Sequence, residues 1–98
     1  MKLEVVLRPQ AETDLTVAIR WYQEKNPGLG YEFRQAVERS FRSIQLYPYS
    51  RSVVYRNVRR ALVRRFPYAI FYTISEDEIV ILACLHVRRD PAIWPRVT

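Results

Sequence analysis

One histidine, His86, stands between the apolar run Ile79–Leu85 and two arginines, Arg88 and Arg89. Imidazole gains and loses a proton near neutrality, so His86 is the side chain best suited here to general acid–base work. Neighbouring guanidinium groups disfavour its charged form and leave it competent as a base. Arg88 and Arg89 would in turn stabilise the phosphorane-like charge that develops in RNA cleavage. A histidine that ends a buried strand also suits a plain structural role, closing the strand with a hydrogen bond. The other chemistry in the chain is arginine interleaved with aromatics. Arg59, Arg60, Arg64 and Arg65 precede Tyr68, Phe71 and Tyr72. Arginine forks hold phosphate, and an exposed tyrosine ring stacks on a base. Arg59, Arg60, Arg64, Arg88 and Tyr72 are therefore the expected target-binding set, although tyrosines in so apolar a stretch equally suit a half-buried core.

Other chemistries lack their residues. The two glycines, Gly28 and Gly30, fall together, and no phosphate-binding glycine loop surrounds them. One histidine and one cysteine, two positions apart on a strand, cannot build a zinc site, and no metal or cofactor is expected. Nothing resembles a nucleophile elbow. Cys84 lies inside the apolar run, where it reads as a small core residue.

The net charge of +6 is uneven. Residues 1–50 hold seven basic and six acidic groups, whereas residues 51–98 hold nine basic and four acidic. All nine of those basic groups are arginine, which keeps its charge at any working pH. A basic half of this kind suggests a polyanionic partner, either nucleic acid or an acidic protein segment.

The elements that must position these groups follow from periodicity. Leu3, Val5 and Leu7 alternate with Lys2, Glu4 and Val6, which predicts a short first strand. Pro9 ends it and opens a helix, with Glu12 and Asp14 suited to the positive end of the helix dipole. Ala11, Leu15, Ala18, Ile19 and Tyr22 recur at helical spacing, with Trp21 beside the stripe. Asn26-Pro27-Gly28 is a turn signal, and a second helix is expected from near Leu29 to before Pro48. Its stripe is Phe33, Ala36, Val37, Phe41 and Ile44, and Arg34 and Glu38 form an i,i+4 pair outside it. Helices so closely joined should lie antiparallel.

Val53–Tyr55 is expected to be extended, with a turn or irregular link at Arg56-Asn57-Val58. Three strands follow: Ala61–Phe66, Tyr68–Ile74 and Ile79–Leu85. The last is continuously apolar, as in a strand covered on both faces. Consecutive strands with short turns must be antiparallel. Trp94 is expected to plug the C-terminus onto the sheet. The reading is one α+β domain over residues 1–98, in the order β-α-α-β-β-β: a small antiparallel sheet, made of a three-stranded meander and the N-terminal strand, packed on a helical hairpin. No apolar run approaches the ~20 residues of a membrane span. The start MKLEVVLRP is too briefly apolar for a signal peptide, so a cytoplasmic protein with no membrane partner is expected.

The element order, with Arg64-Arg65-Phe66-Pro67-Tyr68 and His86-x-x-Arg89-Asp90-Pro91, resembles the RelE/ParE superfamily of toxins from bacterial type II toxin–antitoxin pairs. The resemblance spans nearly the whole chain and implies a toxin neutralised by a cognate antitoxin. It implies one of two activities. ParE-like members inhibit DNA gyrase by binding; RelE-like members are ribosome-dependent mRNA endonucleases. On the second reading Arg65, His86 and Arg89 would be the catalytic groups. The nuclease pattern is incomplete, because the only lysines are Lys2 and Lys25 and no tyrosine follows the last strand. The meander containing Phe66-Pro67-Tyr68 looks more like ParE, so gyrase is the expected target. The antitoxin is expected to carry an acidic segment with apolar anchors, laid as a helix or strand over the hairpin and sheet, where an exposed strand edge would be a ready docking site.

Overall fold

Proline and asparagine divide the first half of the chain. In the computed structural model, which describes residues 3–88, strand β1 (Glu4–Leu7) stops two residues before Pro9, the first residue of helix α1 (Pro9–Lys25). Asn26 alone separates α1 from α2 (Pro27–Leu46), and its side chain accepts the Gly28 N–H at 3.0 Å while Pro27 occupies the first helical position. The second helix thus begins two residues before the expected Leu29, because the turn signal is also the helix cap. Gly30 allows the hairpin to close: a Cβ there would lie 3.0 Å from Gln23 Cβ and 3.2 Å from the Ile19 carbonyl oxygen.

Strands β2 (Val53–Tyr55), β3 (Val58–Leu62), β4 (Tyr68–Ser75) and β5 (Glu78–His86) complete a five-stranded sheet in the order β1-β5-β4-β3-β2. The α+β architecture with a helical hairpin on the sheet is as expected. Two details differ. The extended segment at Val53–Tyr55 is a real edge strand paired with β3, and β1 joins the sheet parallel to β5, since the helical hairpin returns the chain to the same end. A third difference bears on function. β3 begins at Val58 and ends at Leu62, so Arg64 and Arg65 lie in the β3–β4 connection and not on a strand. There Val63 and Tyr68 close the loop through the Val63 N–H to Tyr68 carbonyl bond, and Pro67 follows Phe66 in the turn.

The helical stripes pack on one face of the sheet. Ala11, Ala18, Phe33, Ala36, Val37 and Ile44 meet Ala61, Ile70, Tyr72, Ile79, Ile81 and Cys84 there. The opposite face holds a second cluster of Val58, Ala69, Phe71, Leu82, Ala83 and Leu85. The continuously apolar run of β5 is therefore used on both sides.

Its alternation is broken once. Phe71 pairs with Ala83 but Tyr72 pairs with Ile81, so Leu82 has no partner across the β4–β5 ladder. This is a β-bulge, and one extra residue exchanges the faces of everything that follows. Ile79 and Ile81 face the helices before it; Cys84 and His86, with its partner Tyr68, do so after it.

The bulge also sets Cys84 beneath α1. β1 pairs with β5 only as far as Ile81, and beyond that point the Cys84 N–H is met by a side chain, donating to Asp14 Oδ2 at 3.0 Å. Asp14 is thus more than a dipole partner: it stands in for the absent strand. Burial, with the Asp14 carboxylate beside it, pushes the Cys84 thiol from its ordinary 9.0 up to about 12.

Two measurements test this. Asp14→Ala should cost about 1–3 kcal/mol in denaturant melts by orphaning a buried N–H, and should speed hydrogen exchange at Cys84. The unfolded thiol ionises before the folded one, so its contribution to stability is complete below pH 9.0 and is lost as pH rises toward about 12. Cys84→Ala should flatten the fall in stability across that interval; an unchanged slope would count against a buried neutral thiol.

Candidate functional site

The basic residues separate into those that build the fold and those left for a partner. Arg59 belongs to the first group. Its Nη1 donates to the carbonyls of Arg51 and, at 3.2 Å, Tyr49, and its guanidinium lies 5.2 Å from the Tyr49 ring centre. Arg51 Nη2 donates to Ser43 Oγ and its Nη1 to Ser50 Oγ, each at 2.9 Å. Tyr72 completes the clamp: it is fully buried, and its hydroxyl donates to the Pro48 carbonyl at 2.9 Å. Burial raises the Tyr72 hydroxyl pKa, with Arg51 and Arg59 pulling the other way. These side chains fasten the segment from Tyr47 to Arg51 between α2 and β2. A ring at zero exposure has no face to offer a base, so Tyr72 does not serve the stacking role expected of it, and Arg59 has its Nη1 committed to main-chain carbonyls.

Arg60 is half-buried on the sheet face opposite the helices. Arg64, Arg65 and Arg88 are exposed. Arg65 adopts a φ of 74°, a region that L residues occupy at a cost of about 1–2 kcal/mol, and its guanidinium reaches only a loose 3.9 Å contact with exposed Glu32. It lines a depression beside α2 with Tyr31, Gln35, Arg39 and Phe66. An exposed arginine held in that backbone conformation is a candidate contact residue.

His86 sits elsewhere. It lines a groove of about 490 Å³ against α1, with Trp21, Val17, Tyr22, Pro67 and Tyr68 around it and Arg88 at its end. Its ring meets Tyr68 edge-on at 5.3 Å, within an aromatic group in which Tyr22 touches Phe33, Phe66 and Tyr68. Burial, with Tyr68 nearby, raises the Tyr22 hydroxyl pKa. The Val87 N–H donates to the Pro67 carbonyl at 2.8 Å, and the Arg88 N–H donates to His86 Nδ1 at 3.1 Å. That last bond settles the ring chemistry. With Nδ1 accepting, neutral His86 carries its proton on Nε2, so the nitrogen left for a ligand donates and does not accept.

The structure therefore does not bring His86 and Arg65 together; they line separate depressions on the α1 and α2 sides of the Phe66-Pro67 turn. Arg89 and Trp94 lie outside the described residues. No group of three or more His, Cys, Asp or Glu gathers to hold a metal ion among the described residues, and no helix there is long and apolar enough to cross a membrane. The bulge that turns His86 inward, and the scaffolding role of Arg59, were missed from sequence. An alternating pattern gives no sign of one inserted residue inside a fully apolar run.

Comparison with known proteins bears on the family and the fold. Residues 5–91 match the family model described as the ParE toxin of the type II toxin–antitoxin system, parDE. A solved structure titled "Chromosomal ParDE TA system from P. aeruginosa" superposes with a TM-score of 0.78 at 19% identity, covering 89% of this chain and 98% of that one, and so shares the fold. No curated protein matches the chain.

The site makes two claims that can be measured. Nitrogen NMR should find neutral His86 as the Nε2–H tautomer, and an Nδ1–H form would contradict the bond from Arg88. Arg65→Gly should stabilise the fold by up to about 1 kcal/mol in thermal melts, because glycine accepts positive φ freely; a destabilised variant would mean that the Arg65 side chain holds the turn.

Proposed function

From the premise that this chain belongs to the ParE toxin family of type II toxin–antitoxin systems, we propose that it arrests growth by binding DNA gyrase and that a cognate antitoxin neutralises it in the cytoplasm. Family membership carries the toxin reading. The choice of binding over cutting is supported by His86. A ribosome-dependent nuclease would need a base, or a base with a cation beside it, poised over the RNA 2′-hydroxyl. Here Arg88 lines the same groove as His86, but the Nδ1 lone pair is occupied by the Arg88 N–H, and Arg65 lies in another depression.

What remains for a target is exposed charge. Arg64 and Arg65 protrude from the β3–β4 turn, and Arg88 follows β5. Their guanidinium forks suit carboxylate-rich protein or DNA phosphate, both of which a gyrase–DNA complex presents. Contacts of this kind act by steering and grip, and they weaken with salt.

The test is a pair of reactions run with the same purified protein. Gyrase supercoiling should fall, or cleaved DNA accumulate, without ribosomes, and the effect should shrink as salt is raised. His86→Ala should keep that inhibition, and Arg64→Glu with Arg65→Glu should reduce it about tenfold or more. No effect on gyrase at micromolar excess, together with ribosome-dependent mRNA cuts that vanish in His86→Ala, would replace this proposal with the nuclease.

A further inference from the structure

We propose that the depression between α2 and the β3–β4 turn holds a backbone phosphate of DNA, gripped from two sides by Arg39 and Arg65. This deepens the gyrase reading above, because it sets the toxin against the DNA that gyrase carries. The depression measures about 240 Å³, with Tyr31, Gln35 and Arg39 of α2 on one side and Arg65 and Phe66 of the turn on the other. Its two arginines come from different elements, and both are exposed. Among the described residues no ion pair or hydrogen bond holds Arg39. Arg65 has only the 3.9 Å contact with Glu32, which is itself exposed. An ion pair so open to solvent is weak, so an arriving phosphate displaces it at little cost. Arg51 and Arg59 differ here, since hydroxyls and carbonyls already engage them.

The turn aims Arg65 at this depression. The Phe66 N–H donates to the Val63 carbonyl at 3.3 Å, and the Val63 N–H donates to the Tyr68 carbonyl at 2.9 Å, so the main chain closes tightly around Arg64 and Arg65. Within it Arg65 takes its φ of 74°, a conformation that glycine adopts without the steric cost a Cβ brings. The strained backbone carries the guanidinium toward α2, where it meets Glu32 Oε1. An arginine kept where glycine fits more easily marks a side chain whose position counts for more than the stability of its turn.

The spacing of the charges favours a phosphodiester strand over a single carboxylate. Arg42 follows Arg39 by three positions, about 4.5 Å further along the axis of α2 and on the same face. It too is exposed and has no partner among the described residues. Arg34 is drawn off by Glu38 at 3.5 Å. Arg65, Arg39 and Arg42 are left as a row of guanidinium forks, and a DNA strand repeats its charge about every 3.4 Å of axis. One protein carboxylate would occupy a single fork. Tyr31, 67% exposed at the rim, has its hydroxyl for a further phosphate or sugar oxygen. All of these are backbone contacts, so the binding does not depend on base sequence. Glu32 is the one carboxylate lining the depression among the described residues, and it opposes the ligand.

The test is DNA binding by the purified toxin without gyrase, read as the fluorescence anisotropy of a short labelled duplex. The dissociation constant should lie at about 1–100 μM and rise with salt, with a slope of about 2 to 3 on logarithmic axes for two or three phosphates. Arg39→Gln should lower that slope by about one. Arg65→Gly should weaken binding about tenfold while raising the melting temperature, a pairing that a purely structural arginine would not give. Glu32→Gln should tighten binding. Arg20→Glu, on α1 and in other depressions, controls for net charge and should cost far less than Arg39→Glu. No binding at about 50 mM salt overturns the proposal, as does an equal loss in Arg20→Glu and Arg39→Glu, or Glu32→Gln binding no tighter than the unaltered toxin. DNA affinity unchanged in both Arg39→Glu and Arg65→Gly also overturns it, and if gyrase or antitoxin then binds those variants poorly, the depression belongs to a protein contact instead. Gyrase inhibition is measured apart, so its absence removes the gyrase reading and leaves the DNA site standing.

Discussion

One unopposed residue, Leu82, sets the geometry on which the rest of this molecule depends. A strand alternates its side chains strictly, and β5 would do so from Glu78 to His86 without the bulge. On that register Ala83 and Leu85 would face the helices, and Cys84 and His86 would lie on the other face. With it, Leu82, Ala83 and Leu85 complete the second apolar cluster, and Cys84 turns its main chain to Asp14 and its thiol into the core. His86 arrives against Tyr68 and α1. A fully apolar run allows this, because either face accepts any of these residues; a run with alternating polarity would be held to its register by the cost of burying polar groups.

The arginine content follows a division of labour that composition does not reveal. Sixteen basic residues suggest a single electrostatic surface, yet Arg51 and Arg59 spend their donors on Ser43, Ser50 and the carbonyls of Tyr49 and Arg51. The segment they fasten contains Pro48 and lies where α2 ends and the edge strand begins, so its carbonyls have no ladder of their own. A guanidinium with five donors satisfies several such carbonyls at once. Of the arginines expected to meet a target, Arg64, Arg65 and Arg88 are left exposed, at the same end of the sheet.

Much of the scaffold was legible in the sequence because it rests on repeated local signals. The stripes of α1 and α2 pack as their spacing requires, Arg34 meets Glu38 at 3.5 Å, and Asn26-Pro27-Gly28 marks the hairpin to within two residues. The features that were missed are the non-local ones. The parallel pairing of β1 with β5 depends on where a hairpin of 38 residues, Pro9 to Leu46, returns the chain. Arg64 and Arg65 alternate plausibly with Val63 and Phe66, and only the tertiary turn, with Arg65 at positive φ, takes them off the strand. Tyr72 looked available because it follows arginines in sequence, whereas the period of two in β4 sends it to the helix face with Tyr68 and Ile70.

The site shows the same limit more sharply. Residue type alone made His86 a candidate base. What decides its chemistry is which nitrogen the main chain occupies, and that is set two residues later by the Arg88 N–H. The bond can form because the chain turns as it leaves β5, with the Val87 N–H held by Pro67. Pro67 thus acts twice, ending the preceding turn and anchoring the exit of the last strand. The consequence is a groove whose histidine gives a proton's hydrogen bond rather than taking one, beside exposed tryptophan and cationic rims. The type of a residue thus names the chemistry open to it, and the main chain around it selects which part of that chemistry faces the groove.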